Sequence, residues 1–573
     1  MRETSHLVGA VWAGLVVCAA LCAIGATQAL AAPVAPPPIP PGVQPGVVER
    51  ELQRSPQAPQ QAKIDIPAPN GFEAPGNAAE IHIKLTSIEV SGNSAVSSAD
   101  FTPATQGLLG RDITVADLYG AANAITAIYV AKGYALCFAV VPAQSIEDGR
   151  ARIDVIEGYV AEIKFAGDTA RLPPALSGYG ERIKASRPLK TTDLERFLLL
   201  ANDVSSFTAK STFDRIANGA RGATRLVITL TQQPVAGSLT LDNRGSKAMG
   251  PWRADAFASF NNLLGQGEGL RLLALRALDG NELSYGSVDA TLPLDDNGTS
   301  LVFAGSYSDA NPGLAALSAI NFASKGWTAR LGVDHNVIRS RTDNLTLSFQ
   351  ATGKWLASDL ASTANSRDRI FTLVAGASYW SNNASGLTTL GARATQGLDI
   401  FGATTGASPL RSKASGSGAY TALSLDAARL QSLGGNFDVY VSVTAQIASR
   451  GLLASEQCGY GGGAYGRGFD DSEIVGDNCA MGAAELRYNF GAAGPLAAVQ
   501  PYGFFDAGIV SQQAKALPGE KHSEAAQSVG FGIRAQISDH FSGSVEFAQP
   551  ISHDISQDNN RAGRVFVSLR GEF

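Results

Sequence analysis

The strongest constraint on the fold comes from short segments after Pro234 in which apolar and polar side chains alternate. The last segment shows the pattern most clearly. Its apolar face carries Val565, Val567, Leu569 and Phe573, and its polar face carries Ser568, Arg570 and Glu572. Successive side chains of a β-strand point to opposite faces. An apolar face backed by a polar face is typical of a strand that separates lipid from an aqueous lumen.

The same alternation recurs along the C-terminal part of the chain. The other segments are GSLTLDN, LRLLALRAL, SLVFAGSYS, NLTLSFQATG, NFDVYVSVTAQI and HFSGSVEFAQP, separated by turn-forming clusters such as DDNG and NNASG. At roughly 20 residues per strand and connection, about 340 residues allow about 16 strands of about 9 to 11 residues each. Residues 234–573 are therefore predicted to form a transmembrane antiparallel β-barrel. Repeated soluble β-sandwiches are the alternative.

Composition and hydropathy favour the barrel. Charged residues make up 17% of the chain, below the roughly 25% of average soluble proteins, and glycine is abundant at 62 residues. Beyond the N-terminal segment, no run of about 18 apolar residues is available for a transmembrane helix. A chain without such a run crosses a membrane only as a closed barrel, because lipid offers no partners to unpaired backbone groups.

The N-terminal 80 residues are predicted to carry a signal peptide and a linker. An apolar stretch ends at Ala29-Leu30-Ala31, a pattern that favours cleavage before Ala32 and defines residues 1–31 as the signal peptide. A membrane anchor is the alternative. Residues 32–80 form a proline-rich linker, within which residues 46–54 are a short helical candidate; plain disorder is the other interpretation of this segment.

Two mixed α and β modules are predicted between the linker and the barrel. In residues 81–157, IHIKLTSIEV is a strand, a helix opens at Thr114 with Asp117 completing a capping box, and two strands follow. Residues 158–233 repeat this order, with a second capping box from Thr192 to Glu195. Two similar modules in tandem indicate an interaction platform rather than an enzyme core.

No catalytic, metal or cofactor site is predicted. The motifs G-x-S-x-G, H-E-x-x-H and C-x-x-C are absent, and the six histidines are scattered. The net charge of −6 gives no support for nucleic-acid binding. Cys458 and Cys479 bracket a glycine-rich segment and are a candidate disulfide; a metal site is the weaker alternative, because no further ligand lies nearby at suitable spacing.

Four segments resemble the outer-membrane transporters of two-partner secretion, the haemolysin secretion/activation proteins of the barrel-assembly superfamily. They are GYALCFAVVPAQSIEDGRARIDVIEGYV, NNLLGQGEGLRL, GRGFDD and FFDAG. The first is similar to the family's first POTRA domain, and the last two are similar to its R-G-F/Y and F-x-D-x-G motifs. The resemblance implies two periplasmic POTRA domains before an outer-membrane barrel of about 16 strands that exports proteins by type V secretion.

The candidate site joins the last two motifs. The lumen loop motif comprises Gly466, Arg467, Gly468 and Phe469, and its predicted partner on the barrel wall is Asp506. Asp506 shares strand parity with Phe504, and its carboxylate should face the lumen because lipid would not solvate it. An arginine in a partly desolvated lumen needs a carboxylate partner. The resemblance implies that the loop between Cys458 and Cys479 folds inward so that Arg467 reaches Asp506; separate solvation of the two residues is the alternative.

Two departures from the family pattern concern this loop. Gly466 stands where the family has a small apolar residue, and the cysteine pair is not a general family feature.

The resemblance also implies binding partners and a plug for the pore, and it leaves two alternative functions to be considered. The implied partners are a large secreted protein (an adhesin, a haemolysin or a similar β-helical exoprotein), outer-membrane lipid, and the barrel-assembly machinery, for which Phe573 is the C-terminal assembly signal. Residues 46–54 match the place of a helix that plugs the resting pore. A barrel insertase of the same superfamily and a passive porin are the alternative functions. No cofactor and no nucleic acid are implied.

Overall fold

The computed structural model describes residues 39–44, 46, 47, 49, 73–204, 207–513 and 521–573. The chain divides into two units, residues 1–39 and 40–573, and the fold below is that of the second. The predicted signal peptide lies outside the described residues, as does most of the predicted linker. Within the described ranges, no helix is both long and apolar enough to span a membrane.

The helices and strands of the described residues are numbered in chain order. The helices are α1 (Thr102–Thr105), α2 (Val115–Ala131), α3 (Pro174–Ala185), α4 (Thr191–Asp203) and α5 (Ala315–Ser318). The first eight strands are β1 (His82–Lys84), β2 (Ser87–Ser91), β3 (Asp112–Thr114), β4 (Phe138–Val140), β5 (Arg150–Ile156), β6 (Tyr159–Gly167), β7 (Phe207–Arg215) and β8 (Ala223–Gln232).

The later strands are β9 (Val235–Asp242), β10 (Arg253–Asn261), β11 (Gly269–Ala277), β12 (Leu283–Pro293), β13 (Thr299–Ala310), β14 (Ala323–Arg339), β15 (Asp343–Leu360), β16 (Thr363–Asn383), β17 (Gly386–Leu398), β18 (Thr421–Gly434), β19 (Phe437–Ala448), β20 (Cys458–Tyr460), β21 (Ile474–Gly476), β22 (Asn478–Tyr488), β23 (Gly491–Ala493), β24 (Leu496–Ser511), β25 (Ser523–Ser538), β26 (Phe541–Pro550) and β27 (Arg564–Glu572).

The first module packs α2 against a small mixed sheet. The helix begins at the predicted capping box, in which the Thr114 hydroxyl accepts from the Asp117 backbone N–H and the Asp117 carboxylate accepts from the Thr114 N–H. The single strand predicted for IHIKLTSIEV was wrong. The segment forms β1, which pairs with β3, and β2, which pairs in parallel with β5. The break falls where the apolar alternation shifts.

The second module packs α3 and α4 on a sheet of order β6-β8-β7. The capping box predicted from Thr192 to Glu195 was wrong. The helix α4 begins at Thr191, its N-cap is Lys190, and no side chain caps it. The Glu195 carboxylate instead faces the barrel, where it accepts from the backbone N–H of Arg341 and lies 3.2 Å from that residue's guanidinium. The local pattern assigned Glu195 to a helix cap, but its side chain is instead engaged by Arg341, a residue distant in the sequence.

The C-terminal part closes into a barrel from β9 to β27. Neighbouring strands pair antiparallel, and β27 pairs with β9 to complete the ring. The short β23 pairs with β24, as does β22, so these two segments serve as one strand and the barrel has 16 strands. This confirms the predicted transmembrane-type barrel of about 16 strands and excludes repeated β-sandwiches for this part of the chain.

Large apolar side chains cover the outside of the barrel. Trp327 is 59% exposed, Phe349 57% and Phe531 64%. In β27 the exposed residues Val565 and Val567 flank the buried Phe566, in keeping with the predicted alternation. An apolar outer band of this kind matches lipid rather than water.

Charged contacts join the second module to one end of the barrel. Arg339 in β14 makes two hydrogen bonds to Asp203, of 2.6 and 2.8 Å. Arg182 binds both carboxylate oxygens of Asp296 in the turn between β12 and β13. This module therefore covers the end at which β9 begins, and the loops after β9, β11 and the later odd-numbered strands up to β19 lie at the opposite end.

Glu157 stabilises the first module through hydrogen bonds from the end of its sequence to residues near its beginning and to Tyr129. Its carboxylate accepts from the backbone N–H groups of Ser94 (2.7 Å) and Ala95 (2.8 Å), from the Ser94 hydroxyl and from the Tyr129 hydroxyl (2.7 Å). Burial opposes ionisation, but these hydrogen bonds stabilise the charged form and hold the pKa of Glu157 below its usual range. A lowered folded-state pKa stabilises the fold above the ordinary pKa of 4.5, and that stabilisation disappears as the pH falls through the folded value.

Replacing Glu157 with Gln is expected to destabilise the first module by about 1–2 kcal/mol at neutral pH, because charge-assisted hydrogen bonds are weakened. The measurement is hydrogen–deuterium exchange of residues 87–101 in the full chain between pH 7 and pH 4. The wild type should lose protection on acidification, and Glu157→Gln should be less protected at pH 7 and less sensitive to acid. Glu162→Gln, which alters an exposed pair with Arg225, is the control. An unchanged acid response in Glu157→Gln would contradict this role.

Candidate functional site in the barrel lumen

Residues 449–477, here called the lumen loop, connect β19 to β22 and fold into the barrel. The loop contains the hairpin of β20 and β21, and a disulfide between Cys458 and Cys479 closes it at its base. Its tip carries the GRGF motif. Phe469 is 2% exposed and packs with Tyr460, Ile474 and Val510. The loop is therefore a packed part of the barrel interior.

Arg467 lies against Asp506 of β24. Its guanidinium donates to both carboxylate oxygens, from Nε at 3.0 Å and from Nη2 at 2.7 Å, and its backbone N–H donates at 3.0 Å. Arg467 is 5% exposed and Asp506 is fully buried. The two-pronged geometry matches the planar guanidinium to the carboxylate and holds the loop tip against the wall.

The F-x-D-x-G motif supplies three different contacts. Phe504 presents its ring to the guanidinium of Arg467, 3.5 Å from ring centroid to Cζ, as a cation–π partner. Asp506 supplies the counter-charge. Gly508 leaves room for Tyr460 of the lumen loop, since a Cβ at this position would lie 2.2 Å from the tyrosine ring. The whole motif thus serves the docking of the lumen loop.

Gly466 explains one departure from the family pattern. Its φ is +79°, in the left-handed region that favours glycine, and a Cβ there would lie 2.6 Å from the Tyr460 ring. Its backbone N–H donates to Asp506 at 3.2 Å. The turn at Gly466 therefore brings two consecutive backbone donors onto one carboxylate.

Two further carboxylates around Arg467 were not predicted from the sequence. Glu485 of β22 accepts from Nη1, and Glu546 of β26 lies 3.6 Å from the same nitrogen. Both are nearly buried and are themselves paired with other arginines. The complete cluster consists of Arg244, Arg467, Arg487, Arg534, Glu485, Asp506 and Glu546. The sequence does show an acidic residue on the inward-facing side of each of these strands. Alternation alone does not show how far along the barrel axis that residue lies, and so not whether it can reach Arg467.

The other predicted site residues are also located. Gly468 packs against the backbone of Gln549 and Pro550. Phe573 pairs through its backbone N–H and C=O with Gly237, next to the seam between β27 and β9. Among the described residues, no cluster of histidine, cysteine and carboxylate side chains could hold a metal ion. Cys458 and Cys479, the candidate metal ligands of the alternative interpretation, form a disulfide with each other.

The candidate plug segment is described only in part. Of residues 46–54, the structure describes Gly46, Val47 and Glu49. Val47 is 1% exposed, and the Glu49 carboxylate accepts from the hydroxyls of Ser306 (2.7 Å) and Thr328 (2.5 Å) on inward-facing positions of β13 and β14. The described part of this segment therefore lies inside the barrel, while residues 50–54 are outside the described residues.

Comparisons with known proteins concern the barrel and the first module. Residues 222–535 match the family model described as haemolysin secretion/activation protein ShlB/FhaC/HecB, and residues 83–158 match a POTRA domain of the ShlB type. The heme/hemopexin transporter protein HuxB of Haemophilus influenzae strain 86-028NP is 27% identical over 225 residues, which is 38% of this chain and 39% of HuxB. The chain thus spans about two fifths of the length of that relative.

A second transporter matches over a longer range. The outer membrane transporter CdiB of Escherichia coli is 25% identical over 432 residues, 71% of this chain and 69% of CdiB. A solved structure of CdiB from Escherichia coli superposes with a TM-score of 0.69 at 21% identity and covers 92% of this chain and 95% of that structure. At this identity the likeness concerns the fold.

The buried pair should show strong energetic coupling. We expect Arg467→Ala and Asp506→Ala each to lower the free energy of unfolding by about 3–5 kcal/mol, because each leaves a buried charge without its main partner. The double variant should lose less than the sum of the two. Denaturant titration of the purified barrel in detergent measures this.

The matched control is the pair of Arg393 and Asp426, which lie 3.0 Å apart with half-exposed side chains. Their coupling should stay below about 1 kcal/mol. Additive losses at Arg467 and Asp506 would show that the two side chains are separately solvated.

Proposed function

Because the chain belongs to the haemolysin secretion/activation family, ShlB/FhaC/HecB, we propose that it is an outer-membrane pore that exports a large partner protein to the cell surface by two-partner, type V secretion. The barrel lies in the bacterial outer membrane and the modules before it lie in the periplasm. The observation that carries the proposal is the lumen loop, which occupies the pore and is held by Arg467. A porin keeps a water-filled channel, whereas in this barrel the docked lumen loop fills part of the interior.

The periplasmic modules are the proposed recognition surface. The sheet of the first module ends in edge strands β2 and β4, and that of the second in β6 and β7. An extended segment of the partner can add a strand to such an edge through backbone hydrogen bonds. The partner would then thread the barrel unfolded. Folding at the cell surface supplies the direction, since the periplasm contains no nucleotide fuel.

The proposed partner is an adhesin, a haemolysin or a similar β-helical exoprotein. HuxB is named a heme/hemopexin transporter and CdiB an outer membrane transporter, so the named relatives are transporters rather than enzymes. Assembly of the barrel itself would involve outer-membrane lipid and the barrel-assembly machinery. Phe573, at the end of the chain beside the closing seam, is the proposed assembly signal.

The N-terminal segment is the proposed plug of the resting pore. Val43 is fully buried, and its carbonyl accepts from the hydroxyl of Ser324 at 3.0 Å on the inward face of β14. Together with the contacts of Glu49, this hydrogen bond supports a closed state in which the segment must leave before the partner can pass.

Two other functions make different predictions. A barrel insertase would place substrates into the membrane rather than release them, and such proteins usually carry more POTRA domains than the two modules seen in this chain. A passive porin would conduct ions without removal of any internal segment. The occupied lumen supports the secretion pore over the porin.

Arg467→Ala is expected to leave the barrel assembled in the outer membrane but to reduce release of the partner into the medium by about tenfold or more, because the lumen loop loses its fixed position. The comparison is secreted partner per assembled barrel, quantified by immunoblot of medium and outer-membrane fractions. Arg393→Ala, which removes a more exposed arginine of the barrel, should secrete normally. Normal secretion by Arg467→Ala would remove the proposed role of the lumen loop.

Deletion of residues 32–62 is expected to increase ion conductance in planar bilayers, because the plug segment is removed while the barrel strands remain. The full chain should conduct little under the same conditions. Equal and large conductance in both would favour the porin.

A further inference from the structure

The loop after β17 occupies the end of the barrel opposite the modules. Residues 399–420, here called the outer loop, lead from β17 to β18. The outer loop first pairs with the projecting end of β16, where the Arg367 N–H donates to the Leu410 carbonyl and the Thr404 N–H to the Arg369 carbonyl. It then turns inward, and Ser412 donates its N–H to the inward-facing, buried Asp368. The second half of the outer loop therefore lies within the mouth.

Inside the mouth the outer loop packs on residues 449–457, the first limb of the lumen loop. Ser417 donates its N–H to the Gly451 carbonyl at 3.1 Å, and the Ser412 hydroxyl accepts from the Ala454 N–H at 3.0 Å. The Tyr420 hydroxyl donates to Glu456 at 2.5 Å. The two segments thus form a continuous polar contact across the outlet.

Lys413 links the outer loop to the base of the lumen loop. Its Nζ donates to Asp477 at 3.0 Å and to Gln512 at 2.5 Å. Asp477 is fully buried and also accepts from the Leu452 N–H and the Gln457 side chain. A buried carboxylate that gathers donors from the outer loop, the first limb and the strand end is the point where these segments are joined.

The first limb also contacts the segment that closes the pore from within. Leu453, fully buried, packs against Leu356 and Ile370 on the inner wall. Gly46 of the plug segment lies against Ser455 and Leu356 on the other side. The first limb is therefore a middle layer between the outer loop and the plug segment.

We propose that the outer loop is a second, cell-surface closure of the pore, in series with the plug segment, and that Lys413 is the positioning residue that holds it shut on Asp477. Opening the outlet requires Lys413 to leave Asp477 and the outer loop to separate from the first limb. The consequence for an exported protein rests on the proposed function, but the closure itself is a property of the pore and is measurable with ions alone.

The first test is single-channel conductance of the purified full chain. Lys413→Gln should raise the frequency of large openings about tenfold, the size expected when one charge-assisted hydrogen bond is lost. Lys521→Gln removes the same charge from an exposed pair with Glu524 in another loop and should behave like the wild type. Equal opening in Lys413→Gln and the wild type would count against Lys413 as the latch.

The second test locks the outer loop onto the first limb with an added disulfide. The Ser412 hydroxyl oxygen lies 3.0 Å from the Ala454 backbone nitrogen, so the double variant Ser412→Cys/Ala454→Cys places two thiols at neighbouring positions for a disulfide between the outer loop and the first limb. The oxidised variant should open less often than the wild type, and a reductant should reverse this. The wild type under the same treatment controls for the native Cys458–Cys479 bond, and each single variant controls for the substitutions.

The combined outcomes separate the two proposals. A locked outer loop that abolishes both openings and secretion supports the second closure. If the locked variant opens less often but even the wild type exports no partner, the second closure stands and the export function is rejected. A locked variant that opens and secretes like the wild type would overturn the second closure, whatever Lys413→Gln does.

Discussion

The burial of Arg467 is the interaction on which the arrangement inside the barrel depends. A guanidinium with 5% exposure needs carboxylates at close range, and Asp506, Glu485 and Glu546 supply them from three different strands. Because those strands belong to one wall, with β25 between β24 and β26, the tip of the lumen loop is attached to that wall. The same contacts hold the hairpin of β20 and β21 inside the barrel, where it fills part of the lumen.

Three segments lie inside the barrel, and the contacts that hold them are of the same chemical kind. The proposed plug segment is held through Glu49 and two hydroxyls, the lumen loop through Arg467, and the outer loop through Lys413 and Asp477. Hydrogen bonds and ion pairs of this kind can exchange for bonds to water as the lumen opens. The apolar side chains outside the barrel do not exchange their contacts in this way, because lipid surrounds them in every state of the lumen. The barrel wall can therefore stay intact while its contents rearrange.

Local patterns predicted the features that depend on neighbouring residues. Period-two alternation identified the faces of β27, and the Thr114 capping box identified the start of α2. The second capping box failed because Glu195 serves a contact with Arg341, 146 residues away, which no local window contains. Glu485 and Glu546 were missed for a related reason, since many polar residues face the lumen and alternation does not say which of them meet.

By itself the sequence determined the class of fold: the alternation, the low charge and the absence of an apolar run of helix length beyond the N-terminal segment indicate a closed barrel, and the two motifs single out Arg467 and Asp506. Only the tertiary structure decided what fills that barrel. Register and barrel closure bring β22, β24 and β26 around one arginine, and they bring Lys413 to Asp477 across 64 residues of sequence. Such pairs depend on long-range geometry, whereas alternation depends on the backbone of a single strand.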